Sequence, residues 1–97
     1  MITVTHIKKQ LVTYRPNLVA QYQVASLGIF GSYIRQQQRT DSDLDLLVTF
    51  QELPSLLKFI QLEHYLSDLL GVKVDLVLKD DLKPHLGEQI LREVVFI

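Results

Sequence analysis

Two carboxylates at strand spacing are the first residues of this chain whose types and positions could do chemistry. Asp43 and Asp45 lie two residues apart in an alternating run, Asp-Leu-Asp-Leu-Leu-Val. On a strand both would project from the same face. Adjacent carboxylates repel each other unless a cation or a proton lies between them. Because hard oxygen ligands suit Mg²⁺ or Mn²⁺ together with substrate phosphates, the pair predicts a divalent-metal site.

A third aspartate and a small-residue turn extend this prediction. Asp75 lies in a later apolar run, Val-Asp-Leu-Val. If the two runs are neighbouring strands in register, three aspartates meet on the sheet as in a two-metal phosphoryl-transfer site. Gly31 and Ser32 follow an earlier apolar run, where backbone N–H groups and a hydroxyl could hold the outer phosphates of a nucleotide. Taken singly, each feature also fits a solvated strand face or an ordinary turn, so the prediction depends on their combination.

The rest of the chain must supply the elements that position these residues, and its patterns predict the order α, β, β, α, β, α with a possible final strand. Thr5 is predicted to cap the first helix, and Pro16 to break or restart it. A buried strand is predicted over 24–30, followed by a short helix or irregular connection over 33–42 and a second strand over 43–50. A helix opened by Pro54 and stopped at Gly71 then leads to a strand over 73–78. Pro84 starts the last predicted helix, and the apolar tail over 94–97 is expected to pair as a strand or pack on a partner.

Composition limits the class of protein. A chain of 97 residues predicts a single domain over 1–97, and 47% apolar with 22% charged residues is the profile of a globular protein. The net charge of -1 argues against a broad grip on nucleic acid. The absence of cysteine excludes disulfides and thiolate metal sites. No apolar run resembles a signal peptide or a membrane span, so we expect a cytoplasmic protein without membrane contact.

The motif-bearing segments together resemble the nucleotidyltransferase signature of the polymerase-β superfamily. The segments are Phe-Gly-Ser-Tyr-Ile-Arg over 30–35, Ser-Asp-Leu-Asp-Leu over 42–46 and Val-Asp-Leu-Val over 74–77, with residues 83–84 and 90–95 similar to the end of small prokaryotic members called minimal nucleotidyltransferases. Ile34 and Gln36 depart from the alanine and glycine common at those positions. The resemblance implies an α/β (α+β) fold with a small mixed sheet, the aspartates on one open face and helices packed on the other.

The resemblance also implies an activity, which is transfer of a nucleoside monophosphate from a nucleoside triphosphate to an acceptor hydroxyl. By position, Asp43 and Asp45 would ligate two Mg²⁺ ions, with Mn²⁺ as a substitute. Asp75 would complete the metal site and help to deprotonate the acceptor. The turn at 31–32 would cradle the β- and γ-phosphates. Arg35 would neutralise phosphate charge, although an exposed arginine with no such role is an alternative.

Small members of this family are commonly encoded beside a HEPN-domain ribonuclease toxin. The resemblance implies that this chain forms a hetero-oligomer with such a toxin and neutralises it by transferring AMP from ATP to a hydroxyl, most suitably a tyrosine. An alternative is an antitoxin that blocks the toxin by binding alone, through the tail over 94–97 and the leucine-rich helix over 54–70. Another is a nucleotidyltransferase acting on a small molecule or an RNA end, although no direct nucleic-acid binding is expected from the charge.

Overall fold

The computed structural model describes residues 3–97, which form three helices and a four-stranded sheet. The helices are α1 (Val4–Tyr22), α2 (Leu56–Leu70) and α3 (Pro84–Glu93), and the strands are β1 (Val24–Phe30), β2 (Leu44–Phe50), β3 (Val74–Leu78) and β4 (Val95–Phe96). The predicted α/β class and the order of the elements are confirmed, including the short final strand. Within residues 3–97, no helix is long and apolar enough to cross a bilayer.

The sheet is mixed, with the strand order β3-β2-β1-β4. Strands β1 and β2 are antiparallel, as are β1 and β4, whereas β2 and β3 are parallel. A parallel pair needs a crossover connection because its second strand must start at the same end as the first. Helix α2 supplies that crossover. The two aspartate-bearing strands are therefore direct neighbours at one side of the sheet.

The main hydrophobic core lies between one face of the sheet and helices α1 and α2. Every second residue of the strands faces it, as the alternating pattern predicted. The buried members are Ile7, Leu11 and Leu18 of α1, Val24, Leu27 and Ile29 of β1, Tyr33 of the turn after β1, Leu44, Leu46 and Val48 of β2, Leu62, Leu66 and Leu70 of α2, and Val74 and Leu76 of β3. The intervening strand residues, the aspartates among them, are thereby placed on the opposite face.

That opposite face is partly covered by α3. Ile90 of this helix packs on Phe30 and Leu47 in a second, smaller apolar cluster. Because Phe30 and Leu47 are large apolar side chains on the aspartate side of the sheet, leaving them in water would forfeit their burial free energy. The sequence predicted helices behind the aspartates, and α1 and α2 lie there. The third helix instead forms a wall beside them.

Helix α1 differs from its prediction at both marked positions. Thr3, rather than Thr5, is the N-cap, and its hydroxyl accepts a hydrogen bond from the His6 N–H at 3.2 Å. The predicted break at Pro16 is wrong, since the helix continues to Tyr22. Proline removes the hydrogen bond to the carbonyl of Val12, but both residues are exposed, so that carbonyl can bind water instead.

The outer edge of β3 is protected by helix α2. The Leu76 N–H donates to the Glu63 carboxylate at 2.9 Å, and the Val74 N–H donates to the Ser67 hydroxyl at 3.0 Å. These bonds satisfy two amides that an edge strand would otherwise present to water or to another chain. The edge strand that carries Asp75 is thus fixed in place by side chains of the helix before it.

Candidate active site

Asp45 and Asp75 face each other across the parallel pair of strands. Position 45 of β2 is in register with position 75 of β3, so their side chains project from the same face. Asp45 is half-buried, whereas Asp75 is exposed. The sequence prediction required that the two strands be neighbours in register, and Asp45 and Asp75 meet that requirement.

A cleft of about 530 Å³ lies between this face and α3. Its polar lining comprises Gly31, Arg35, Asp45, Asp75, Gln89 and Glu93. Its apolar lining comprises Phe30, Val77, Leu82, Leu86 and Ile90. A concave site with one polar end and one apolar wall is typical of a small-molecule pocket. Four of the six predicted site residues meet in it.

Gly31 brings the backbone against Asp45, and no other residue type fits there. Its φ is +80°, in the left-handed region that glycine enters without a steric penalty. A Cβ at this position would also overlap the Asp45 carboxylate. The backbone then turns through a short 3-10 helix over Gly31–Tyr33, and the N–H groups of Ile34 and Arg35 after it both donate to the Gly31 carbonyl, each at 3.1 Å. The turn thereby points Arg35 back towards the cleft.

The two remaining predicted residues lie beside the cleft rather than in it. Asp43 immediately precedes β2, and its carboxylate is 3.8 Å from the Lys73 ammonium. It lines a second cleft of 420 Å³ together with Lys73 and Arg39. Ser32, next to the glycine, is half-buried and lines neither of these two clefts. The structure therefore places Asp43 at a boundary between two openings.

The electrostatics of the cleft are dominated by carboxylates. The pKa of Asp45 is raised from its ordinary value of 3.8 to about 6, chiefly by burial and then by the charges of Asp75, Asp43 and Glu93, with Arg35 opposing the rise. Like charges at short range disfavour ionisation, and a cation nearby reverses the effect. The negative charge at Asp45 is thus incompletely balanced by the protein's own cations.

Glu93 is a site residue that the sequence did not reveal. Its carboxylate accepts a hydrogen bond from the Gly31 N–H at 3.0 Å and forms an ion pair with Arg35 at 3.1 Å. The partners are separated by 62 and 58 residues of sequence. Glu93 is the last residue of an amphipathic helix, and nothing in its local spacing distinguishes it from a solvated glutamate.

The donor set fits a magnesium ion held jointly with a nucleotide. In the described part of the chain, no group of three or more Asp, Glu, His or Cys side chains is arranged to hold a metal ion by itself. Mg²⁺ is usually bound through one or two carboxylates, with waters and substrate phosphates completing its coordination. Asp45 and Asp75 are in register on adjacent strands, and the raised pKa of Asp45 indicates where a positive charge would be favoured.

Comparison with known proteins identifies the family. A model of the nucleotidyltransferase domain matches residues 9–97. This chain belongs to the nucleotidyltransferase domain family. It is 47% identical over its whole length to the protein adenylyltransferase MntA of Thermococcus cleftensis, of which it covers 98%. The resemblance inferred from the sequence is confirmed at this level.

Solved structures share the fold. One described as a minimal nucleotidyltransferase is 40% identical, with a TM-score of 0.74 over 92% of this chain and 93% of that one. A chain from the complex of a tri-AMPylated Shewanella oneidensis HEPN toxin with its MNT antitoxin is 19% identical, with a TM-score of 0.67 over 93% of this chain and 70% of that one. The second likeness establishes common architecture only.

Proposed function

We propose that this chain is a magnesium-dependent protein adenylyltransferase that acts as an antitoxin. In this proposal it transfers AMP from ATP to a tyrosine hydroxyl of a HEPN ribonuclease toxin and so neutralises the toxin. The observation that carries the proposal is the cleft in which Asp45 and Asp75, in register on parallel strands, face the backbone turn at Gly31. The adenylyltransferase named among its relatives, nearly half identical over the whole chain, supports AMP as the transferred group.

The proposed nucleotide position follows from the lining of the cleft. At the polar end, the Gly31 N–H and the Arg35 guanidinium are donors suited to phosphate oxygens. Leu82, just before α3, and Leu86 in its first turn offer an apolar wall on which a base can pack, and Gln89 offers an amide for the polar edge of the base. The α-phosphate would then lie between the phosphate donors and the aspartates.

Asp43, Asp45 and Asp75 would hold the magnesium. The bound metal supplies charge neutralisation of the phosphates and of the leaving pyrophosphate. The protein's own part is to orient the triphosphate and to receive a proton. The acceptor oxygen bonds to the α-phosphorus, the bond from that phosphorus to the oxygen bridging to the β-phosphate breaks, and pyrophosphate leaves. The exposed carboxylate of Asp75 takes the proton of the acceptor hydroxyl.

A protein acceptor is consistent with the position of Asp75. This aspartate is exposed on an edge strand, so a side chain of another protein can approach it without crossing the sheet. A tyrosine hydroxyl, with an ordinary pKa near 10, needs such help to become a nucleophile. The acceptor can therefore be supplied by a partner protein that approaches Asp75 from this open side.

The test uses the full chain, Mg²⁺, α-labelled ATP and the HEPN protein encoded beside it. Label should appear on the HEPN protein with the native chain and with Asp68→Asn, a control on the exposed side of α2, and should be absent with Asp45→Asn. Mass spectrometry should place AMP on tyrosine, and replacement of that tyrosine by phenylalanine should remove the label. Label that persists with Asp45→Asn, or transfer in excess EDTA, would contradict the proposal.

Neutralisation by binding alone is the second candidate function. A leucine patch at the start of α2, formed by Leu53, Leu56, Leu57 and Ile60, is exposed, with Leu56 at 75%. Exposed apolar patches of this kind mark protein contacts. If binding alone neutralises, Asp45→Asn should still inhibit the ribonuclease as well as the native chain, whereas Leu56→Asp should not. Loss of inhibition by Asp45→Asn in a stable complex would exclude this candidate.

A further inference from the structure

The Glu93 carboxylate occupies the donors at the polar end of the cleft. One of its oxygens accepts from both the Gly31 N–H, at 3.0 Å, and the Arg35 Nη1, at 3.1 Å, and its second oxygen is also 3.1 Å from that Nη1. The Glu93 side chain is only 24% exposed. It therefore satisfies a backbone amide that the left-handed turn aims into the cleft, and it neutralises the arginine beside that amide.

A phosphate oxygen and a carboxylate oxygen are the same kind of ligand for these donors. Both are anionic acceptors, and both prefer a backbone N–H together with a guanidinium. The single Gly31 N–H makes one good hydrogen bond at a time. A triphosphate placed at this end of the cleft must consequently take the place of Glu93, since two anionic groups cannot share these donors without strong repulsion.

We propose that Glu93 is an internal competitor of the nucleotide's terminal phosphates and thereby selectively weakens the binding of triphosphates. This inference rests on the proposed function of the cleft. A ligand that carries β- and γ-phosphates can displace the carboxylate from Gly31 and Arg35. AMP has only the α-phosphate, and in the proposed position this phosphate lies towards the aspartates. AMP therefore gains nothing by displacing Glu93 from its donors. Glu93 therefore lowers the affinity for triphosphates and leaves the affinity for AMP unaltered.

The exchange requires only rotation of the side chain. Before Glu93 the backbone belongs to α3, whose end is fixed by the Val94 N–H donating to the Ile90 carbonyl at 2.9 Å. After Glu93, β4 pairs with β1 through Val95 and Phe96. Because the backbone is held on both sides, the carboxylate can leave the donors without displacing the helix, and the apolar wall of the cleft stays in place.

The test compares Glu93→Gln with Glu88→Gln, an exposed position on the same helix that does not line the cleft. Binding of AMP-PNP with Mg²⁺ and of AMP with Mg²⁺ is measured by calorimetry on the full chain. Since removal of a partly exposed ion pair is worth a modest factor, Glu93→Gln should bind AMP-PNP about three- to tenfold more tightly. Its affinity for AMP, and both affinities of Glu88→Gln, should equal those of the native chain. Unchanged or weaker binding of AMP-PNP by Glu93→Gln, or an equal gain for AMP, overturns the proposal.

A measurement on the native chain keeps the test independent of how the variant folds. In amide NMR spectra, the Gly31 resonance should move on saturation with AMP-PNP and Mg²⁺ as its acceptor changes, and should stay in place with AMP. A Gly31 resonance unmoved by bound AMP-PNP contradicts the proposed exchange while leaving nucleotide binding intact. Absence of AMP-PNP binding in the native chain and in Glu93→Gln alike overturns the proposed function itself.

Discussion

Replacement of Asp45 by asparagine should abolish nucleotidyl transfer and, in the absence of metal, stabilise the folded chain at neutral pH. Asparagine keeps the shape of the side chain but carries no charge. Burial and the neighbouring carboxylates raise the pKa of Asp45 to about 6 from an ordinary value of 3.8. The folded state therefore opposes ionisation of this group, and its removal relieves that penalty.

The pH dependence of the effect follows from proton linkage. Between pH 4 and 6 the folded state binds more protons at Asp45 than the unfolded state, so the free energy of unfolding falls as the pH rises through this window. Well below pH 3.8 Asp45 is protonated in both states, and the penalty is absent. Well above pH 6 the penalty is complete. The stabilisation by Asp45→Asn should therefore be small at pH 4 and largest at pH 7 and above.

The magnitude can be bounded from the change in pKa. Taken at face value, the change corresponds to about 3 kcal/mol. Because the side chain is only half-buried, solvent screens its interactions with the nearby charges, and we expect about 1 to 1.5 kcal/mol. Such a gain at a site of lost activity is the usual trade between stability and function.

The assay is urea unfolding in EDTA at pH 4 and at pH 8, for the native chain, Asp45→Asn and Asp68→Asn. Asp68 is exposed on α2 and lines neither cleft, so we expect its replacement to change the free energy of unfolding by less than about 0.5 kcal/mol. A gain of stability by Asp45→Asn that is as large at pH 4 as at pH 8 would refute the electrostatic explanation. A loss of stability at pH 8 would refute it as well.

Three further substitutions test the local structure, each by urea unfolding with a transfer assay alongside. Gly31→Ala should destabilise the fold by about 1 to 3 kcal/mol and remove transfer, because a left-handed φ and the Asp45 carboxylate both exclude a Cβ. Native-like activity of this variant would contradict the prediction. Gln36→Gly should stabilise by about 0.5 to 1 kcal/mol, since Gln36 has a φ of +56°, and a loss of stability would show that the side chain matters more than the backbone. Ser67→Ala should cost about 1 kcal/mol by orphaning the Val74 N–H of the edge strand, and a neutral result would mean that water replaces the hydroxyl.

The sequence was sufficient wherever the deciding physics is local. A period of two along a strand predicted that Asp45 faces away from Leu44 and Leu46, and the structure buries those leucines on the other face. Gly71 was predicted as a helix stop because a left-handed residue ends a helix at little cost to glycine, and it has a φ of +70° there. The roles of the aspartates as metal ligands and of Ser32 in phosphate binding stay predictions.

Where local signals were ambiguous, the tertiary structure decided. A proline leaves one helix carbonyl without its hydrogen bond, which would end a helix if that carbonyl were shielded from water. Around Pro16 the helix surface is exposed, and the helix continues. Gln36 stands where the family signature has glycine and takes the left-handed conformation that glycine would adopt more readily. In both cases the observed backbone runs against a preference of about 1 to 3 kcal/mol at a single exposed residue.

The sequence by itself determined which residues are candidates for the chemistry and which face of each strand they occupy, because residue type and periodicity are properties of short segments. Only the tertiary structure decided that Asp45 and Asp75 pair in register, that α3 forms a wall beside them, and that Glu93 reaches back to Gly31. Those relations join residues far apart in the chain. They are set by which surfaces pack together most favourably, and no single segment contains that information.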